Sequence, residues 1–147
     1  MTSYKKRSVK DSMGELEIDV GALYGAQTQR AINNFPISGT RMPLEFIKAL
    51  LQIKRAAALG NQKLDCLPEA ISSAIDTVCG SLLNDPGLIE HFPVDVFQTG
   101  SGTSSNMNAN EVVATLASEA SGLTINPNDH VNFGQSSNDV IPTAIHV

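Results

Sequence analysis

The chain has 147 residues and a mass of 15.6 kDa, about one domain at ~100–200 residues per domain and enough to bury roughly two-thirds of its unfolded surface. It is 41% hydrophobic, 17% charged and 5% aromatic, with no Trp, which argues against a disordered chain, an aromatic-rich sandwich and a base-stacking platform. The net charge of −5 hides an asymmetry: residues 1–63 hold all ten Lys and Arg against five acids, whereas residues 64–147 hold ten acids and neither Lys nor Arg, which argues against a polyanion partner for that half.

Residues 1–20 are polar, with a weak apolar alternation at Leu16, Ile18 and Val20 that predicts a frayed tail leading into a short strand or extended arm. Gly21, Gly25, Pro36 and Gly39 make residues 21–42 read as loop and short extended pieces rather than a long helix. From Pro43 the period changes. Leu44, Ile47, Leu51, Ala58 and Leu59 fall near helical spacing and predict a helix over about 43–63, with Pro43 suited to its first position. A second helix opens at Pro68, sets Ile71, Ile75, Val78, Cys79 and Leu82 on one stripe, and breaks at Asn84-Asp85-Pro86-Gly87. Residues 88–100 form a connector whose Phe92, Val94, Val96 and Phe97 alternate as a short strand would, and read instead as a plug for the core under a loop. A third helix, about 104–121, buries Met107, Val113, Leu116, Ala117 and Ala120 and ends at Gly122. A polar loop over 123–135 leads to a fourth helix at Ser136. There Ile141, Ile145 and Val147 announce an apolar face with nothing to complete it, so the chain reads as cut inside an element. No repeat or low-complexity tract interrupts the series, and the expected class is mainly α with minor β.

No run of ~18 apolar residues is present, and Lys5, Lys6, Arg7 and Lys10 are followed by no apolar stretch, so neither a membrane span nor a secretory leader is expected and the location reads as cytoplasmic. Cys66 and Cys79 make neither a disulfide framework nor a metal knuckle and read as small buried apolar residues with inert thiols.

Two stretches are dense in small hydrogen-bonding residues where helices start: Gln98-Thr99-Gly100-Ser101-Gly102-Thr103-Ser104-Ser105-Asn106-Met107-Asn108, and Gln135-Ser136-Ser137-Asn138-Asp139. Unsatisfied amides at a helix N-terminus attract anions, glycine lets a ligand approach the backbone, and Ser, Thr and Asn add neutral donors. Capping alone explains one such residue. Eleven in a row with two glycines exceed what a cap needs, and a carboxylate would suit them. The P-loop, dinucleotide, H-E-x-x-H and nucleophile-elbow spacings are absent. A serine hydrolase would need a histidine partner. His91 beside Phe92 and His146 on a helix read as structural, leaving His130 as the one histidine near a polar loop.

Together with Gly25-Ala26-Gln27-Thr28-Gln29-Arg30, the stretches from Gln98 to Glu111 and from Gln135 to Ala144 closely resemble the N-terminal domain of class II fumarate hydratase, in the fumarase/aspartase superfamily. Three motifs in order over some 120 residues carry the resemblance, which covers nearly the whole chain. It implies a lyase domain over residues 1–139, with 140–147 as the first turns of a long-helix central domain. It further implies reversible anti addition of water to fumarate to give L-malate, without metal or organic cofactor.

Matched motif by motif, Ser101, Gly102 and Thr103 would hold one substrate carboxylate, and Ser136, Ser137 and Asn138 would hold substrate from the second loop. The family's secondary carboxylate site lies in a His-Pro-Asn-Asp loop that here reads Asn126-Pro127-Asn128-Asp129. That puts Asn126, Asn128 and Asp129 at this site, with Asn126 able to donate a hydrogen bond but not to become a cation. The family's Thr-His pair and its Gly-Ser-Ser-rich segment, which supplies the serine base and a substrate-binding lysine, have no counterpart here, so no catalytic residue is assigned and the chain alone is expected to be inactive. The complete enzyme would be a cytoplasmic homotetramer acting on a small dicarboxylate, with no nucleic acid or membrane partner. The alternatives are aspartate ammonia-lyase of the same superfamily, which shares a loop like residues 126–132, and a non-catalytic assembly module whose Ser/Asn loops only cap helices. Thr99-Gly100-Ser101-Gly102 and Ser136-Ser137 favour the hydratase.

Overall fold

A computed structural model of the protein describes residues 5–147. Two six-residue strands, β1 (Lys6–Asp11) and β2 (Gly14–Asp19), pair antiparallel with Lys6 opposite Asp19 and Asp11 opposite Gly14. The extended arm expected from the sequence is thus a hairpin, one of whose strands lies on residues that alternation did not mark. Ile18 is its buried anchor. Arg30 grips Asp11 through two hydrogen bonds of 2.8 and 2.9 Å and also reaches the Gly14 carbonyl, which ties the hairpin to the first helix.

That helix, α1 (Ala26–Asn34), corrects the reading of residues 21–42 as loop. Its start has no local cap. The Glu111 carboxylate replaces one, accepting from the Gly25 and Gln27 amides at 2.9 Å, the Thr28 amide at 3.1 Å and the Thr28 hydroxyl at 2.6 Å. A helix nucleated by a residue far along the chain leaves little signal in its own sequence.

α2 (Leu44–Lys63) and α3 (Glu69–Leu83) follow the prediction closely. Pro43 and Pro68 stand at their N-caps rather than inside them, and Glu45 and Glu69 put negative charge on their first turns. The stripe of α2 differs from the one expected. Leu44 and Leu59 are exposed, and the buried face runs through Ile47, Leu50, Leu51, Lys54 and Ala58. α3 packs against it through Ile75, Val78, Cys79 and Leu82, and Arg55 pairs with Asp76 across the two helices.

A 3₁₀ turn at Leu88–His91 leads into the connector, where Phe92 and Val94 are buried as expected but Phe97 is exposed. Asp95, buried in the connector, accepts from the Ser38, Gly39 and Phe97 amides and the Ser38 hydroxyl at 2.7–2.8 Å. Burial pushes its carboxyl up, but these donors prevail and hold it at about 2.

α4 (Thr103–Ser121) is the centre of the molecule and touches α1, α2, α3, α5 and the loop after it. Residues 104–114 are all buried, on every face. Its C-terminal end is exposed at Ala120 and closes on Gly122 in the left-handed region. A single π turn at Pro127–Val131 breaks the polar loop, and α5 (Ser137–His146) follows. Its Val140 and Ala144 join the common core. Ile145 and Val147 are exposed, as expected, whereas Ile141 packs against the core. Cys79 is fully buried and Cys66 exposed, so the expectation of two buried thiols holds for one. Burial pushes the Cys79 thiol up to about 12, which keeps it protonated.

Candidate functional site

The two donor clusters predicted from the sequence meet at the starts of α4 and α5. Gly102, at φ +66°, turns the chain into α4, and a Cβ there would lie 3.0 Å from the Ile141 side chain of α5. Alanine at this position is strained twice, by its dihedral and by its neighbour. The Ser101 and Thr103 hydroxyls lie 2.8 Å apart. No side chain at Gly102 exists to cap α4, and Gln98 does so from outside: its Oε1 accepts from the Ser105 amide at 2.9 Å, while its Nε2 donates to the Ser105 hydroxyl and the Asp95 carbonyl. The Thr103 and Ser104 amides of the first turn have no acceptor among the described residues.

At the second cluster, Ser136 caps α5 by accepting from the Asn138 amide at 3.3 Å. Asn106, on α4, donates at 3.1 Å to the Ser137 hydroxyl oxygen, which joins the clusters directly. The six residues are half-buried or exposed. A groove of about 390 Å³ lies elsewhere, between α2 and the end of α5, and is lined by Phe46, Lys48, Gln52 and Ile145 among others.

The third set stands apart. Asn126 Oδ1 accepts from the Asn128 and Asp129 amides at 2.8 and 3.0 Å, and its own amide donates to His130 Nδ1. Asn126 therefore builds its turn, and none of Asn126, Asn128 and Asp129 shares a hydrogen bond with either donor cluster. His91 lies 3.5 Å from Asp85, and His146 closes α5.

Beneath the junction lies a residue that motif reading missed. Lys54, fully buried on α2, donates to Asn132 Oδ1 at 3.0 Å and to Gln135 Oε1 at 2.8 Å. Burial pushes its ammonium down to about 7. Its signal in the sequence is a lysine at a core position of an otherwise apolar helical stripe. Asn106 completes the group, buried and with an Oδ1 that has no partner among the described residues. The anionic half of the chain thus receives a lysine from the basic half. Among the described residues no group of three or more His, Cys, Asp or Glu is placed to hold a metal ion, and no helix is long and apolar enough to cross a membrane.

The sequence pattern of the family described as Lyase matches residues 14–147. The chain is 62% identical over 141 residues to the protein named fumarate hydratase class II 2 of Pseudomonas aeruginosa, covering 96% of this chain and 31% of that protein. It is 56% identical over 150 residues to the fumarate hydratase class II of Xylella fastidiosa, covering 99% of this chain and 30% of that one. Among solved structures, class II fumarase from Schistosoma mansoni superposes with a TM-score of 0.92 at 42% identity, over 96% of this chain and 31% of that chain. A fumarate lyase:delta crystallin from Brucella melitensis superposes with a TM-score of 0.89 at 46% identity, over 96% of this chain and 34% of that one. The chain spans about a third of the length of the relatives it matches. Its mainly helical fold with one small hairpin is that of the fumarate lyases, and the chain belongs to the lyase family, its relatives there being class II fumarate hydratases.

Proposed function

We propose that this chain supplies one of three active-site segments of a class II fumarate hydratase, which adds water reversibly to fumarate to give L-malate with neither metal nor organic cofactor. The observation that carries the reading is the junction of the two clusters, where Asn106 bonds Ser137 and Ile141 packs over Gly102. Removing the C3 proton of malate drives charge onto the neighbouring carboxylate, and the resulting aci-carboxylate needs fixed donors where that charge gathers. In this reading Ser101, Gly102 and Thr103 hold one carboxylate, and Ser136, Ser137 and Asn138 hold the substrate from α5. The proton-moving His and Ser and a substrate-binding Lys come from the other two segments, in a cytoplasmic homotetramer whose central helical domain begins near Val140. Asn126, Asn128 and Asp129 are a proposed secondary carboxylate site without a cation at position 126.

The test is a chimera in which this chain replaces the matching third of the Pseudomonas aeruginosa hydratase. It should form malate from fumarate. Ser101→Ala and Thr103→Ala should each lower its rate ~10²-fold, as loss of an oxyanion donor does, with the melting temperature little changed. Aspartate in place of malate when ammonia is supplied, or lost stability with the rate intact, overturns the reading.

A further inference from the structure

Lys54 is fully buried, yet among the described residues no carboxylate lies within ion-pair distance of it. An ammonium carries three hydrogens and no lone pair, so every group it touches must present an acceptor. It touches Asn132 Oδ1 and Gln135 Oε1. With those oxygens committed, the amide nitrogens point elsewhere: Asn132 Nδ2 donates to the Gln135 carbonyl at 3.2 Å and Gln135 Nε2 to the Val131 carbonyl at 2.9 Å. Asn132 Oδ1 also accepts from Asn106 Nδ2 at 3.1 Å, and the same nitrogen donates to Ser137 Oγ. The Ser137 oxygen is therefore an acceptor toward the protein, and its own hydrogen is left to point away from it.

The direction of each bond along this chain, from α2 to the start of α5, is set at one end by a group that donates to both of its partners. We propose that Lys54 is a positioning residue for substrate binding: through Asn132 and Asn106 it fixes the Ser137 hydroxyl as an outward donor, and through Gln135 it pins the turn carrying Ser136 and Asn138. The cluster then offers hydrogens rather than lone pairs to a carboxylate. With an apolar side chain at 54, Asn132 is free to turn over, Asn106 to follow, and Ser137 to spend its hydrogen inward. This inference rests on the reading of residues 136–138 as a carboxylate-binding cluster.

The experiment uses the active chimera and succinate, a saturated dicarboxylate that it cannot hydrate. Lys54→Met keeps the length of the side chain and removes the ammonium. It should weaken succinate inhibition and raise the KM for fumarate by roughly ten- to a hundred-fold, the scale of one hydrogen bond to a charged ligand. Ser137→Ala should do the same. The double variant should lose clearly less than the product of the two single losses, because Lys54 acts in part through that hydroxyl and otherwise only through Gln135. Independent, multiplying losses overturn the proposal, since a purely structural lysine would produce them. Should Lys54→Met fail to fold by circular dichroism, Asn132→Ala cuts the same chain from a half-buried loop position and should show the same loss and the same non-additivity with Ser137→Ala. Unchanged succinate affinity in Asn132→Ala overturns the proposal. If Ser101→Ala and Ser137→Ala themselves leave succinate affinity unchanged, the carboxylate reading of the clusters fails and takes this proposal with it. If they weaken it while Lys54→Met does not, the positioning role alone fails.

Discussion

An ammonium taken out of water loses solvation that two neutral amide oxygens only partly replace. Lys54 therefore couples stability to pH with a definite sign. Its folded value of about 7 lies below the unfolded value near 10.4, so between the two the unfolded chain binds more protons. Stability consequently rises as pH goes from about 7 toward 10. At ~1.4 kcal/mol per unit the ceiling is about 5 kcal/mol. The gain should appear in urea midpoints measured from about pH 7 to about 8.5, below the range in which the unfolded Cys79 thiol titrates and opposes it, and should vanish in Lys54→Met, with Cys79, the titratable neighbour on α3, left in place in both proteins. The residue went unread in the sequence, where its one signal is a charge on an apolar stripe, and its pairing left no signal at all. Asn132 looks like an ordinary loop residue, and Gln135 like one more member of its donor cluster, until the fold brings both against Lys54 of α2. The exposed Cys66 shows the converse, since nothing local distinguishes a thiol in the Leu64–Leu67 link from one on the buried face of α3.

At the level of elements, α2, α3 and α4 were readable because each carries a helical apolar period with a proline before it or a glycine after it, and these signals act within a few residues. α1 was not readable, because what starts it is a carboxylate from α4. Glu111→Gln replaces an acceptor of four hydrogen bonds with a group that also offers two hydrogens to the same donors. It should cost about 2–3 kcal/mol in urea denaturation, with amide exchange accelerating first in residues 26–34. A restored midpoint in that variant would show that α1 stands by its own propensity. The donor clusters were also legible, since Ser, Asn and Gly recur where helices begin. Their junction was not, because it depends on Ile141 leaving the exposed face assigned to it and packing over Gly102.

At the scale of the molecule, the split of charge along the sequence does not survive folding as two poles, since Lys54 of the basic half lies beneath donors of the acidic half. Among the described residues, none of the three histidine side chains has a hydrogen bond to the clusters: His91 lies beside Asp85, His130 accepts from the Asn126 amide, and His146 ends α5. The 147-residue chain by itself should leave the ultraviolet absorbance of fumarate unchanged over hours, whereas the chimera consumes it; turnover by the chain alone would remove the need for further segments.

The buried first half of α4 has a consequence for how the chain finds its structure. Ser104, Ser105, Asn106, Asn108, Asn110 and Glu111 all lie inside, so greasy collapse with the wrong alignment would strand several amides and a carboxylate in oil. The native register gives the side chains of Ser105, Asn106, Asn108 and Glu111 partners, so near-miss packings that break these bonds are penalised and α4 acts as a built-in proofreader.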